Sequence, residues 1–84
     1  MGQNELEELR GRIDETDRKI IALLNERFSL AKSIYDKKLK SAVTDRRREE
    51  EVLKKAAETS DCVFSDSVRA VYEEIIRQSK KVQR

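Results

Sequence analysis

The chain contains no histidine, no proline and no tryptophan, and just one cysteine and two glycines among its 84 residues. Each shortage closes off a class of chemistry. Without histidine the usual base for a serine or cysteine nucleophile is missing, and zinc, haem and iron–sulfur sites lack their customary ligands. Cys62 stands alone beside Asp61 in a polar stretch and reads as a free thiol, not as a nucleophile. Gly2 and Gly11 are too few and too scattered for a phosphate-cradling loop of the Walker or dinucleotide kind. No metal and no cofactor are expected, so catalysis has to run on arginine, lysine, carboxylates and amides.

Long apolar runs are also missing, none approaching the roughly 20 residues that a membrane span requires. The opening Met-Gly-Gln-Asn-Glu-Leu lacks the basic and apolar regions of a signal peptide, and Leu6 stands where a myristoylation motif needs Ser or Thr. These features predict a cytoplasmic protein with no membrane partner. Charge of one sign is equally scarce: 19 Lys and Arg against 17 Asp and Glu leave a net charge of +2. The run Arg46-Arg47-Arg48 has the composition of a nucleic-acid patch, but Asp45 precedes it and Glu49-Glu50-Glu51 follows, cancelling its field. No nucleic-acid partner is expected, and charges such as Glu7-Glu8 and Lys54-Lys55 read as solvated faces.

What the chain does have is 43% charged and 37% hydrophobic residues, rich in the strong helix formers Glu, Lys, Arg, Leu and Ala. The fold class is therefore all-α, in one domain spanning residues 1–84. Asn4 with Glu7 forms a candidate cap for a first helix over roughly residues 5–39, on the order of 50 Å long. Thr44 or Asp45 can cap a second through about Glu58, Thr59-Ser60-Asp61 forms a connector, and Ser65 can cap a third from about Asp66 onward. Two short helices cover only part of so long a partner. A second copy, its long helix crossing the first, predicts an intertwined two-fold helical dimer whose monomer is not stable.

The apolar stripe of the long helix reads Leu6, Arg10, Ile13, Asp17, Ile20, Leu24, Arg27, Ala31, Ile34, Lys38, with steps of three and four throughout. A plain coiled coil would place Leu, Ile or Val at every one of these positions. Arg10, Arg27 and Lys38 instead put cations on the inward face, where an unpaired charge is costly. They could snorkel outward or pair with Asp17, Glu26 and Glu49. Yet polar groups recur on the inward faces of the other helices too. The third carries the ridge Val68, Tyr72, Ile75, Ser79, Gln83, and the second aligns Asp45, Arg48, Glu49 and Val52. Together they outline a cavity with several cations, carboxylates, a hydroxyl and a carboxamide. Such a set suits a small dianion, because arginine binds carboxylates bidentately, and it suits a hydroxyl through Glu49.

These residues resemble the all-helical class of chorismate mutase over the stretch from Leu6 to Gln83. The resemblance is carried by Leu9-Arg10 followed by Ile13-Asp14 and Asp17, by Ile20-x-x-Leu23-Leu24-x-Glu26-Arg27 with Leu30-Ala31, and by Lys38. Asp45-x-x-Arg48-Glu49, Ile75-Ile76-x-x-Ser79 and Gln83 complete it in order. It implies an intertwined homodimer with two active sites, each completed by Arg10 of the other chain. It further implies that Arg27 and Arg10 bind the substrate carboxylates with help from Arg48 and Ser79. Lys38 and Gln83 would donate to the ether oxygen of the breaking bond, while Glu49 and Asp45 would meet the ring hydroxyl. Gln83 stands near a helix end, where fraying is expected.

The implied reaction is the unimolecular rearrangement of chorismate to prephenate in aromatic amino-acid biosynthesis, which requires no nucleophile, metal or cofactor. The family domain also occurs fused to other enzymes of that pathway, so a partner enzyme is a further expectation. Two other readings remain open on the residues. One is elimination of pyruvate from isochorismate on the same scaffold, an isochorismate pyruvate-lyase. The other is a non-enzymatic helical dimerisation module in which the inward cations merely set register.

Overall fold

The computed structural model describes residues 2–37 and 45–83. Among the described residues it contains three α-helices and no strand: α1 (Gly2–Asp36), α2 (Arg46–Thr59) and α3 (Ser65–Val82). α1 is 35 residues long. Its rise of about 1.5 Å per residue accounts for nearly all of the 56 Å long axis of the molecule.

The helix ends differ from the expected ones for identifiable reasons. Asn4 does not cap α1, because the helix already begins at Gly2 and Asn4 lies inside it. Once a helix is nucleated, each added residue costs little, and neither Gln3 nor Gly2 is a strong enough breaker to stop it. At its other end α1 stops at Asp36, with the Lys37 N–H donating to the Ser33 carbonyl at 3.1 Å. Lys38, the predicted connector Ser41-Ala42-Val43-Thr44 and the alternative cap Thr44 lie outside the described residues.

Asp45 caps α2 as expected, its Oδ1 accepting the Arg48 N–H at 3.0 Å from an extended backbone. The second connector is longer than Thr59-Ser60-Asp61. A turn closed by the Phe64 N–H on the Asp61 carbonyl at 2.8 Å puts Phe64 at the cap position of α3. Ser65 is thereby moved into the helix, where its hydroxyl donates back to the Cys62 carbonyl at 3.2 Å in place of capping.

α3 is the spine of the fold. It packs on both α2 and α1, whereas the backbones of α1 and α2 do not approach one another among the described residues. Its inward ridge follows the helical period: Val68, Tyr72 and Ile75 are half-buried, and Ser79 and Gln83 are buried. Against that ridge lie Ala31 of α1 and Leu53 of α2, the buried apolar residues among those described. The first half of α1 has no cover from its own chain, and Leu6, Leu9, Ile13 and Ile20 are exposed. The radius of gyration is accordingly 16.2 Å, against about 12 Å for a compact domain of this length. Among the described residues no helix is long and apolar enough to cross a membrane.

Candidate active site

Where α1 and α2 stand apart over α3, a cavity of about 310 Å³ opens between all three helices. That is at the small end of the range of ligand pockets, which runs over roughly 300–1,000 Å³. α1 contributes Arg27 and Ala31, one turn apart on its inward stripe. The start of α2 contributes Asp45, Arg48 and Glu49, and the last turns of α3 contribute Ser79, Lys80 and Gln83. Residues three and four apart share a helix face, so each helix delivers its polar groups to one side.

The Arg27 Nη1 donates to Ser79 Oγ at 2.7 Å, and the Ser79 hydroxyl donates in turn to the Ile75 carbonyl at 2.8 Å. Both partners are thereby held before any ligand arrives. A guanidinium has five N–H groups, and among the described residues no carboxylate lies within 4.0 Å of Arg27. Donors remain for an anion. Arg27 neither snorkels away nor pairs with Glu26 or Glu49.

Gln83 does not fray. It is 5% exposed, and its Nε2 donates to the Ala31 carbonyl at 3.0 Å, clasping the end of α3 to α1. A carboxamide nitrogen carries two N–H groups, so one is left after this bond. Burial against α1 supplies the tertiary restraint that a position at a helix end lacks by itself.

Across the cavity, Glu49 Oε2 lies 2.8 Å from Lys80 Nζ, with both side chains largely shielded. Lys80 escaped the sequence reading. A lysine in the last turn of a helix is ordinarily explained by the helix dipole, and Lys81 beside it strengthens that explanation. The available signal was its register, four residues after Ile76 and three before Gln83, on the face that reaches the cavity. Asp45 has one carboxylate oxygen engaged in the cap of α2. Arg48 lines the rim with its side chain 70% exposed and its Nη1 3.9 Å from Glu51 Oε2.

The structure thus brings Arg27, Asp45, Arg48, Glu49, Ser79 and Gln83 to one cavity. Arg10 is exposed and lies about 25 Å up α1 from Arg27, counting helical rise, away from this cavity. Lys38 lies outside the described residues. Away from the site, the Glu74 carboxyl is held below its ordinary value, first by the hydrogen bond from Gln78 and then by the charges of Arg77 and Lys81.

Fixed arginine, amide and hydroxyl donors on three helices make a site that restrains and polarises a small anionic ligand. Over residues 9–84 the chain matches chorismate mutase type II, and it belongs to that all-helical family of isomerases. No curated protein and no solved structure matches the chain at a significant level.

Proposed function

We propose that the chain rearranges chorismate to prephenate in aromatic amino-acid biosynthesis, acting as a cytoplasmic two-fold homodimer of a single domain spanning residues 1–84. The observation that carries this reading is the convergence of Arg27, Ser79 and Gln83 with Asp45 and Glu49 on one cavity, in a chain of this family. Arg27, tethered by Ser79, binds one substrate carboxylate. Arg10 of the second copy and Arg48 at the rim complete the grip on the pair. Gln83 and Lys38 donate to the ether oxygen as its bond to the ring breaks, and Glu49 accepts the ring hydroxyl beside Asp45.

The rearrangement is intramolecular, so the protein needs no nucleophile. Its residues hold the enolpyruvyl arm over the ring and stabilise the negative charge that grows on the ether oxygen. Because Arg27 and Gln83 are already bonded to the scaffold, little reorganisation is needed when that charge appears. A million-fold acceleration, about 8 kcal/mol, lies within reach of such restraint plus electrostatics. The dimer is supported by the bare stripe Leu6, Ile13 and Ile20, which a second copy would cover while bringing its own Arg10. A partner enzyme of the aromatic pathway is compatible with the same site.

The test is to incubate the protein separately with chorismate and with isochorismate and to identify the products by chromatography. Prephenate from chorismate is expected, with most of the activity lost in Lys38→Ala at unchanged helix content. Salicylate and pyruvate from isochorismate would assign the lyase reaction instead. Consumption of neither by a folded dimer would overturn the proposed chemistry.

A further inference from the structure

We infer that Lys80 is a positioning residue for Glu49: its ammonium fixes one carboxylate oxygen and balances the charge, leaving the other oxygen to accept a substrate hydroxyl beside a dianion. The inference rests on the chorismate reading. It starts from the 2.8 Å contact between Lys80 Nζ and Glu49 Oε2, which joins the last turn of α3 to the first turn of α2 across the wall of the cavity. The two side chains are 31% and 24% exposed, against 92% and 55% for the intrahelical pair Arg47–Glu51 and 60% and 57% for Lys32–Asp36. Exposed pairs within one helix do little beyond solvating it. A shielded pair between helices, opening on a cavity, fixes a group in place.

The other cation near Glu49 in sequence does not perform this task. Arg48 is directed toward Glu51 at the rim. Without Lys80, Glu49 would present an uncompensated carboxylate to a doubly negative substrate and would be free to swing. With Lys80, Oε2 is occupied and Oε1 is the acceptor left over. Lys80 therefore acts through Glu49, and its effect should depend on the substrate having a hydroxyl at that end.

The experiment compares wild type, Lys80→Met and Lys80→Arg on chorismate and on an analogue in which hydrogen replaces the ring hydroxyl. Lys80→Met is expected to lower kcat/KM for chorismate about tenfold to thirtyfold, the effect of losing a charge-assisted hydrogen bond in a partly shielded site. Its rate on the analogue, which offers Glu49 nothing to hold, should stay where it is in wild type. Lys80→Arg should recover most of the loss on chorismate. An equal loss on both substrates would assign Lys80 to the fold alone, and no loss on chorismate would remove it from the site; either overturns the inference. If Lys80→Met loses its helical circular dichroism, Lys80→Gln, of lower bulk and no charge, enters the same comparison. A wild-type chain that leaves chorismate unchanged would overturn the proposed function and this inference with it, whereas an active wild type with an unaffected variant overturns the inference alone.

Discussion

Arg27 is tethered on one side and open on the other: Ser79 takes one N–H at 2.7 Å and is itself anchored to the Ile75 carbonyl. Ordering a long side chain in advance lowers the entropic cost of closing it on a ligand. Arg27→Ala is expected to lower kcat/KM at least about a hundredfold, the range found when a preorganised donor to developing charge is removed. Its circular dichroism spectrum should match wild type; a spectrum showing loss of helix would make Arg27 structural instead. These positions were legible in the sequence because a 3.6-residue period sorts side chains by face, and a polar residue in an apolar stripe stands out. Lys80 was not legible as a site residue. Its partner Glu49 lies on another helix, and spacing along one helix says nothing about which charges meet across two. The retention of Gln83 was hidden for the same reason, since the Ala31 carbonyl that holds it is a backbone group of α1.

At the scale of the helix, α2 begins at the cavity, so its cap and the site share a residue. Asp45 accepts the Arg48 N–H, and the same turn sets out Arg48 and Glu49. Asp45→Ala is expected to cost about 1 kcal/mol of stability, as losing a side-chain cap usually does, and to lower activity further by loosening Glu49. Asp45→Asn keeps a competent cap. Thermal melts and chorismate turnover on the two variants separate capping from contact with the substrate: equal melting of Asp45→Ala and wild type would deny the cap its role. Of the caps read from sequence, Asp45 held its place because a connector precedes it and α2 follows directly. Asn4 and Ser65 carry the same capping chemistry, but neighbouring backbone decides whether it is used. Helix simply propagates through Asn4, and the Asp61–Phe64 turn moves the start of α3 by one residue past the expected geometry.

At the scale of the whole molecule, the single chain leaves much of its best apolar surface unused. Leu6, Leu9, Ile13 and Ile20 lie bare along α1, and each such side chain gains about 1.5–3 kcal/mol when fully buried. If a second copy covers them, the thermal midpoint rises with protein concentration, and Ile13→Glu shifts the sedimentation equilibrium toward monomer while lowering activity. A midpoint independent of concentration, with Ile13→Glu as active as wild type, would rule out the proposed assembly. The length of α1 was legible from the absence of proline and the unbroken stripe; its lack of cover followed from the lengths of α2 and α3.

The unbroken course of α1 from Gly2 to Asp36 also makes that helix a ruler. Inserting a single residue between Ile13 and Ile20 would turn everything before it by about 100° relative to everything after, and lift it by about 1.5 Å. Leu6 and Arg10 would then leave the line of Arg27 and Ala31, although every side chain and every helical hydrogen bond survived. Such a helix tolerates exchange of residues along its outer face but not a change in their number, so its length is as much a part of the site as any arginine in it.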